Sequence, residues 1–200
     1  MKIIAGSCHG MRLEAPKGQV TRPTSSRVRE AVMNILAPHV EGALFIDLFS
    51  GSGAMACEAL SRGARGAVLV EKDKKALQAL RRNVEECCRR CQKDGRTVSP
   101  LKVLGHETEV ALRSLRKSLR ADIVWADPPY CDSVAWLAGP QGVALSDMVA
   151  EGGLFVMELA RQDAEALCFP ESIRGVWEKV KVKNYGESAI VVWQKLGQKG

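Results

Sequence analysis

Aromatic residues make up only 5% of this 200-residue chain. Long apolar runs are missing too: none approaches the ~20 residues that a membrane-spanning helix needs, which excludes a transmembrane protein. The opening Met1-Lys2-Ile3-Ile4-Ala5-Gly6 has an apolar stretch too short for a signal peptide, so the expected location is the cytoplasm. Internal repeats, low-complexity segments and long linkers are absent, which points to one domain with at most a small appendage. A disulfide framework is also missing, because the seven cysteines (8, 57, 87, 88, 91, 131 and 168) are odd in number. Cys88 and Cys91 make a CxxC, but no second pair stands at metal-ligand spacing. His9, His39 and His106 are scattered, and the CxxC lies in a run that reads as helix. The expectation is reduced thiols on a helix and no metal.

What is present is apolar enough to fold. Hydrophobic residues are 46% of the chain and charged ones 26%, which excludes a disordered chain. Lys and Arg number 29 against 23 Asp and Glu, for a net charge of +6 and a pI near 9.0. The excess is uneven. Residues 1–45 carry six basic and three acidic side chains, and residues 81–120 carry eleven and five. Residues 121–200 reverse the sign, with seven basic and eleven acidic side chains. A polyanion partner is implied, touching the first half more than the second.

From residue 43 onward, short apolar runs alternate with amphipathic stretches. Strands are predicted at 43–48, 67–71, 101–104, 122–127 and 153–158. Helices are predicted at 53–62, 73–91, 108–119 and 144–150. Two further β-rich runs, 176–182 and 188–192, are joined through Asn184-Tyr185-Gly186-Glu187 as an antiparallel hairpin. The pattern describes an α/β fold of the Rossmann-like kind, a mostly parallel sheet with an antiparallel pair at one edge. Residues 1–40 read as an extension: a hairpin of 2–5 with 11–14, then a helix over 26–36. The expected division is an extension over 1–40 and a main domain over 41–200.

Two motifs carry chemistry. Asp47-Leu48-Phe49-Ser50-Gly51-Ser52-Gly53-Ala54-Met55-Ala56 stands where the first strand of the sheet turns into a helix. Gly51, Gly53 and Ala56 satisfy G-x-G-x-x-A, whose glycines allow a sharp turn and close approach of backbone to a ligand. Glu71, at the tip of the next strand, suits hydrogen bonds to ribose hydroxyls. The pair indicates a nucleoside-containing cofactor without choosing between NAD and S-adenosylmethionine. The second motif is Asp127-Pro128-Pro129-Tyr130, at the carboxyl end of the fourth strand, where ligands bind in open α/β sheets. Two prolines fix the backbone direction, Asp127 offers a carboxylate and Tyr130 an aromatic face. A loop merely stiffened by proline is the plain alternative.

D-P-P-Y after a D-x-F-x-G-x-G loop resembles the N-methyltransferases that use S-adenosylmethionine to methylate exocyclic amines. Ile3-Ile4-Ala5-Gly6, and Arg22-Pro23-Thr24-Ser25-Ser26-Arg27-Val28-Arg29-Glu30-Ala31-Val32-Met33-Asn34-Ile35-Leu36, are similar to the signature of the RsmD family. Lys183-Asn184-Tyr185-Gly186 is similar to that family's late K-x-Y-G. Ser26 and Met33 depart from it, standing where the family usually has Asp and Phe.

The resemblance implies a class I S-adenosylmethionine-dependent fold and methylation of the 2-amino group of a guanine in small-subunit (16S) ribosomal RNA. It implies a monomer acting on free rRNA or on the small subunit. Asp127, Pro128, Pro129 and Tyr130 would be catalytic. Asp47, Phe49, Gly51, Ser52, Gly53 and Glu71 would hold the cofactor, with Glu107, in preference to His106, towards its adenine. Arg12, Lys17, Arg22, Arg27, Arg29, Lys183 and Tyr185 would meet RNA. Lys181 and the basic run Arg81, Arg82, Arg89, Arg90, Lys93 and Arg96 are weaker candidates, because helical charge runs are usually solvated faces. The competing readings are an NAD-dependent dehydrogenase, in which D-P-P-Y has no role, and an N-methyltransferase acting on another RNA base, on a DNA base or on protein glutamine. A non-catalytic RNA-binding module, which would need neither Glu71 nor Asp127, completes them.

Overall fold

The computed structural model describes residues 1–15, 26–128, 133–165 and 167–197. They fall into two compact units, Met1–Thr108 and Glu109–Gly200.

The first unit is built on three parallel strands. These are β1 (Leu44–Asp47), β2 (Gly66–Val70) and β3 (Leu101–Leu104), in the order β3-β2-β1. Every residue of β1 and β2 is buried, as expected of apolar runs covered on both faces, whereas β3 is half exposed. Helix α1 (Ser26–Val40) precedes the sheet and extends past Pro38, four residues beyond the predicted end. Helix α2 (Ala54–Ser61) follows β1 and is buried along its whole length. Helix α3 (Lys74–Lys93) follows β2. The Asp73 side chain caps it by accepting from the Ala76 N–H at 2.8 Å. Its buried positions, Ala76, Ala79, Leu80, Asn83, Val84, Cys87 and Cys91, follow the i, i+3, i+4 pattern of one helical face.

The N-terminal segment lies against α2 and α3. It forms a narrow hairpin with a single bridge, Lys2 to Arg12, closed by Ile3 N–H to the Met11 carbonyl and Gly10 N–H to the Ile3 carbonyl, both at 2.9 Å. Ser7 N–H and Cys8 N–H donate to the carbonyl and hydroxyl of Ser61 at 2.9 Å, and Ile4 N–H donates to Glu58 at 2.7 Å. Gly6 sits at φ +80°, where a Cβ would collide with the Ser61 carbonyl. Only glycine lets the hairpin approach this closely.

The second unit begins with α4 (Thr108–Leu115), which straddles the boundary, and β4 (Ala121–Ala126). Helices α5 (Ser133–Ala138) and α6 (Pro140–Met148) precede β5 (Val149–Ala160), and β6 (Trp177–Tyr185) and β7 (Ser188–Lys195) close the chain. The strand order is β4-β5-β7-β6. β4 and β5 are parallel, and β7 runs antiparallel to both of its neighbours, β5 and β6. The mostly parallel sheet with a terminal antiparallel hairpin therefore stands as the sequence predicts. α5 was not predicted, and α6 starts four residues early, because Gly139-Pro140 ends one short helix and opens the next with proline at its first position. Phe155, Phe169, Trp177 and Trp193 form the core under the hairpin, with the Phe169 and Trp177 rings stacked at 4.4 Å. Among the described residues no helix is long and apolar enough to cross a membrane.

Candidate active site

In the first unit the site grows out of the carboxyl ends of β1 and β2. Asp47 ends β1 and is buried. The chain then turns through Leu48–Gly53, and Ser50 fastens the turn. Its N–H donates to the Val70 carbonyl at 2.9 Å, its hydroxyl donates to the Asp47 carbonyl at 2.9 Å, and that hydroxyl accepts from Val70 N–H at 3.1 Å. Gly51 and Gly53 have φ of +52° and +79°, left-handed values that side chains other than glycine resist. A Cβ on Gly51 would meet nothing within 4 Å, so this side of the turn is open to a ligand.

Glu71 follows β2 and holds the turn from the far side. One carboxylate oxygen accepts from Gly51 N–H and the other from Asp73 N–H, each at 2.8 Å. A carboxylate has about four acceptor positions, so two remain for hydroxyls of a ligand. Phe49 is half-buried, and its N–H lies 3.4 Å from an Asp47 oxygen. Past β3, Glu107 and His106 are exposed, and Glu107 pairs with Lys72 at 3.1 Å. The neighbouring Thr108 hydroxyl donates to the Leu48 carbonyl at 2.9 Å.

Two residues of this site, Asn83 and Ser50, escaped the sequence reading. Asn83 on α3 is buried, and its amide donates to the Ser52 carbonyl at 2.8 Å and to the Glu14 carbonyl at 3.0 Å. Its oxygen accepts from Glu14 N–H at 2.8 Å. It thereby holds the glycine turn and the end of the N-terminal hairpin from one helix position. The signal was in the sequence, as an amide on the apolar face between Leu80 and Cys87. Ser50 gave no such signal.

In the second unit Asp127 comes directly after β4 and is half-buried, and Pro128 is buried. Pro129 and Tyr130 lie outside the described residues, as do Lys17 and Arg22. Lys183 and Tyr185 stand two apart on β6, with the Lys183 ammonium 5.7 Å from the Tyr185 ring centroid. Lys183 is exposed, Tyr185 half-buried, and Lys181 exposed on the same strand.

The remaining basic candidates divide by burial. Arg12 and Arg27 are exposed. Arg29 is not available to RNA, contrary to the sequence expectation. It has no exposed surface, its Nε lies 3.3 Å from Glu58, and its guanidinium donates to the Lys2 carbonyl at 2.7 Å. Burial of a guanidinium requires that its charge be answered inside the protein, and Glu58 does this. On α3, Arg82 pairs with Glu14, and Arg89 and Arg90 both pair with Glu86, whose carboxyl they hold below its usual range. Arg96 turns inward to the Leu60 and Ala64 carbonyls and the Ser7 hydroxyl. Arg81 and Lys93 remain exposed.

Residues 1–194 match the family model described as Conserved hypothetical protein 95. YlbH of Bacillus subtilis (strain 168), described as a candidate rRNA methyltransferase, is 30% identical over 205 residues, covering 98% of this chain and 100% of its own. Ribosomal RNA small subunit methyltransferase D of Escherichia coli (strain K12) is 45% identical over 84 residues, 42% of either chain. Among solved structures, the Escherichia coli protein yhhF, described as a candidate methyltransferase, superposes with a TM-score of 0.77. It is 30% identical, with 99% of each chain covered.

Proposed function

The chain belongs to the family described as Conserved hypothetical protein 95, and is RsmD-like; on that footing we propose that it methylates the exocyclic N2 amine of a guanine in small-subunit (16S) ribosomal RNA, using S-adenosylmethionine. The observation that carries the reading is the Glu71-pinned glycine turn at the end of β1, in a chain whose β4 runs directly into Asp127-Pro128-Pro129-Tyr130. The Bacillus subtilis and Escherichia coli relatives, described as rRNA methyltransferases, support rRNA as the substrate class.

The first unit's residues fit the cofactor. The open side of Gly51 gives room for it, and the carboxylates of Asp47 and Glu71 suit its positive charge and its ribose hydroxyls. Asp47, Phe49, Gly51, Ser52 and Gly53 would line the methionine and ribose portion, with Glu71 on the ribose and Glu107 towards the adenine. When bound, S-adenosylmethionine supplies an electrophilic methyl group.

The other groups act on the base. An aromatic amine is a poor nucleophile because its lone pair is delocalised into the ring. Asp127 and the Pro128 carbonyl accept its two N–H bonds, which favours a pyramidal nitrogen and aims the lone pair. Orientation and placed dipoles then account for most of the rate gain. Asp127 needs little basicity, since the methylated nitrogen sheds its proton readily. Tyr130 stacks on the base, worth about 1–3 kcal/mol, and repays part of the few kcal/mol spent turning the base out of structured RNA. Residues 1–40 form the RNA-binding extension, with Arg12, Lys17, Arg22 and Arg27 as contacts, and 41–200 the methyltransferase portion, with Lys183 and Tyr185 beside the substrate.

The test is methyl transfer to 16S rRNA and to small subunits, followed by mass mapping of the modified nucleotide. One N2-methylguanine is expected, and Asp127→Ala should lower turnover by roughly 10²–10³ while cofactor affinity is kept. Unchanged turnover in that variant, or a methyl group on another base or on protein, overturns the assignment.

A further inference from the structure

Four buried cysteines gather in the first unit, at a place the proposed reaction does not use. Cys8 lies in the turn of the N-terminal hairpin, Cys57 on α2, and Cys87 and Cys91 one turn apart on α3. The Cys8 sulfur is 3.3 Å from that of Cys87 and 3.9 Å from that of Cys91, and all three sulfurs lie within 4.8 Å of one another. Cys57 borders the group through its backbone: the Cys87 sulfur stands 3.6 Å from its carbonyl.

We propose that Cys8, Cys87 and Cys91 bind a zinc ion, with the fourth position open to a small ligand, and that this ion fastens the N-terminal hairpin to α3. Sulfurs about 2.3 Å from a tetrahedral zinc stand roughly 3.8 Å apart, the separation these three already approach. Three thiols arriving from two distant parts of the chain are not needed to fill space, which small apolar side chains would do without polar atoms. A disulfide is the lesser fit, because it would join two sulfurs, strand the third and require an oxidant. Burial and neighbouring thiols push the Cys91 thiol up to about 11 and those of Cys8 and Cys87 higher still. Without metal the group is therefore neutral, and binding zinc releases one proton from each thiol that becomes a thiolate ligand. The excess negative charge is answered by Arg96, which lies near Cys91 and donates to the Ser7 hydroxyl next to Cys8.

The test is elemental analysis of the full chain, purified under reducing conditions from zinc-supplemented cells, with cobalt titration of the chelator-stripped protein. One zinc per chain and the charge-transfer and ligand-field bands of a tetrahedral cobalt thiolate are expected. Cys87→Ser and Cys91→Ser should each abolish both signals, and Cys168→Ser, in the second unit, should keep them. Should a serine variant fail to fold, the cobalt spectrum of the unaltered chain decides. A folded, reduced chain with neither zinc nor cobalt bands overturns the proposal, as does a Cys8–Cys87 disulfide, seen as a loss of two hydrogens, in protein purified without metal exclusion.

Discussion

Arg29 and Glu58 show how a single charge can be misplaced when it is read by composition. The segment Arg27-Val28-Arg29-Glu30 looks like basic surface, yet Arg29 shares a helical face with Val32, Met33 and Leu36, at spacings of three, four and seven, and all four are buried. Arg27 lies off that face and is exposed. Because Glu58 answers Arg29, receives the Ile4 N–H and lies 3.5 Å from Arg62, Glu58→Gln leaves a buried cation without its counter-charge. We expect a loss of about 3–5 kcal/mol, read as a lower urea midpoint. The double variant Arg29→Met, Glu58→Gln should recover part of it, since the two sites are coupled. Glu71 answers the backbone donors of the glycine turn by the same logic. Glu71→Gln sets an NH2 group against one of the two backbone N–H donors, of Gly51 or Asp73, and titration calorimetry with S-adenosylhomocysteine should show roughly a tenfold loss of affinity.

At the scale of elements, α3 organises the first unit. It caps itself through Asp73, closes the glycine turn through Asn83 and faces the N-terminal hairpin through Asn83, Cys87 and Cys91. Asn83→Ala orphans three backbone groups. A cost of about 1–3 kcal/mol in stability is expected, together with weaker cofactor binding, which distinguishes it from a purely structural defect elsewhere on the helix. Gly6→Ala tests the hairpin alone: the methyl group meets the Ser61 carbonyl, so hydrogen exchange should quicken in residues 3–13 while β1 and β2 keep their protection. Strands β1, β2 and β4 were legible because runs buried on both faces are continuously apolar, and the glycine turn because its left-handed conformations exclude other residues. Asn83 announced itself only as an amide on an apolar face, and Ser50 not at all, because their partners at Glu14 and Val70 are brought near only by the fold. The meeting of Cys8 with Cys87 spans 79 residues and leaves no local trace.

Over the whole molecule, the +6 charge no longer measures what RNA would feel. Arg29 and Arg96 are turned inward, and Arg82, Arg89 and Arg90 are paired, so the eleven basic residues of 81–120 overstate that segment's reach. Arg12 and Arg27 stay exposed, as do Arg81 and Lys93. Affinity for 16S rRNA should still fall steeply with salt, by a logarithmic slope of about −0.7 for each single-stranded phosphate neutralised. Arg12→Ala and Arg27→Ala should each flatten that slope by about one such step, whereas Arg89→Ala should leave it nearly unchanged. A salt-independent affinity would count against the basic extension as the RNA contact.

The docking of the N-terminal hairpin also sets an order of events in synthesis. Its anchors at Glu58, Ser61, Asn83 and Cys87 lie 53 to 79 residues further along the chain. The hairpin thus lacks its full set of anchors until α3 has followed α2 out. A chain halted before α3 would leave residues 1–15 short of those anchors and open to proteases.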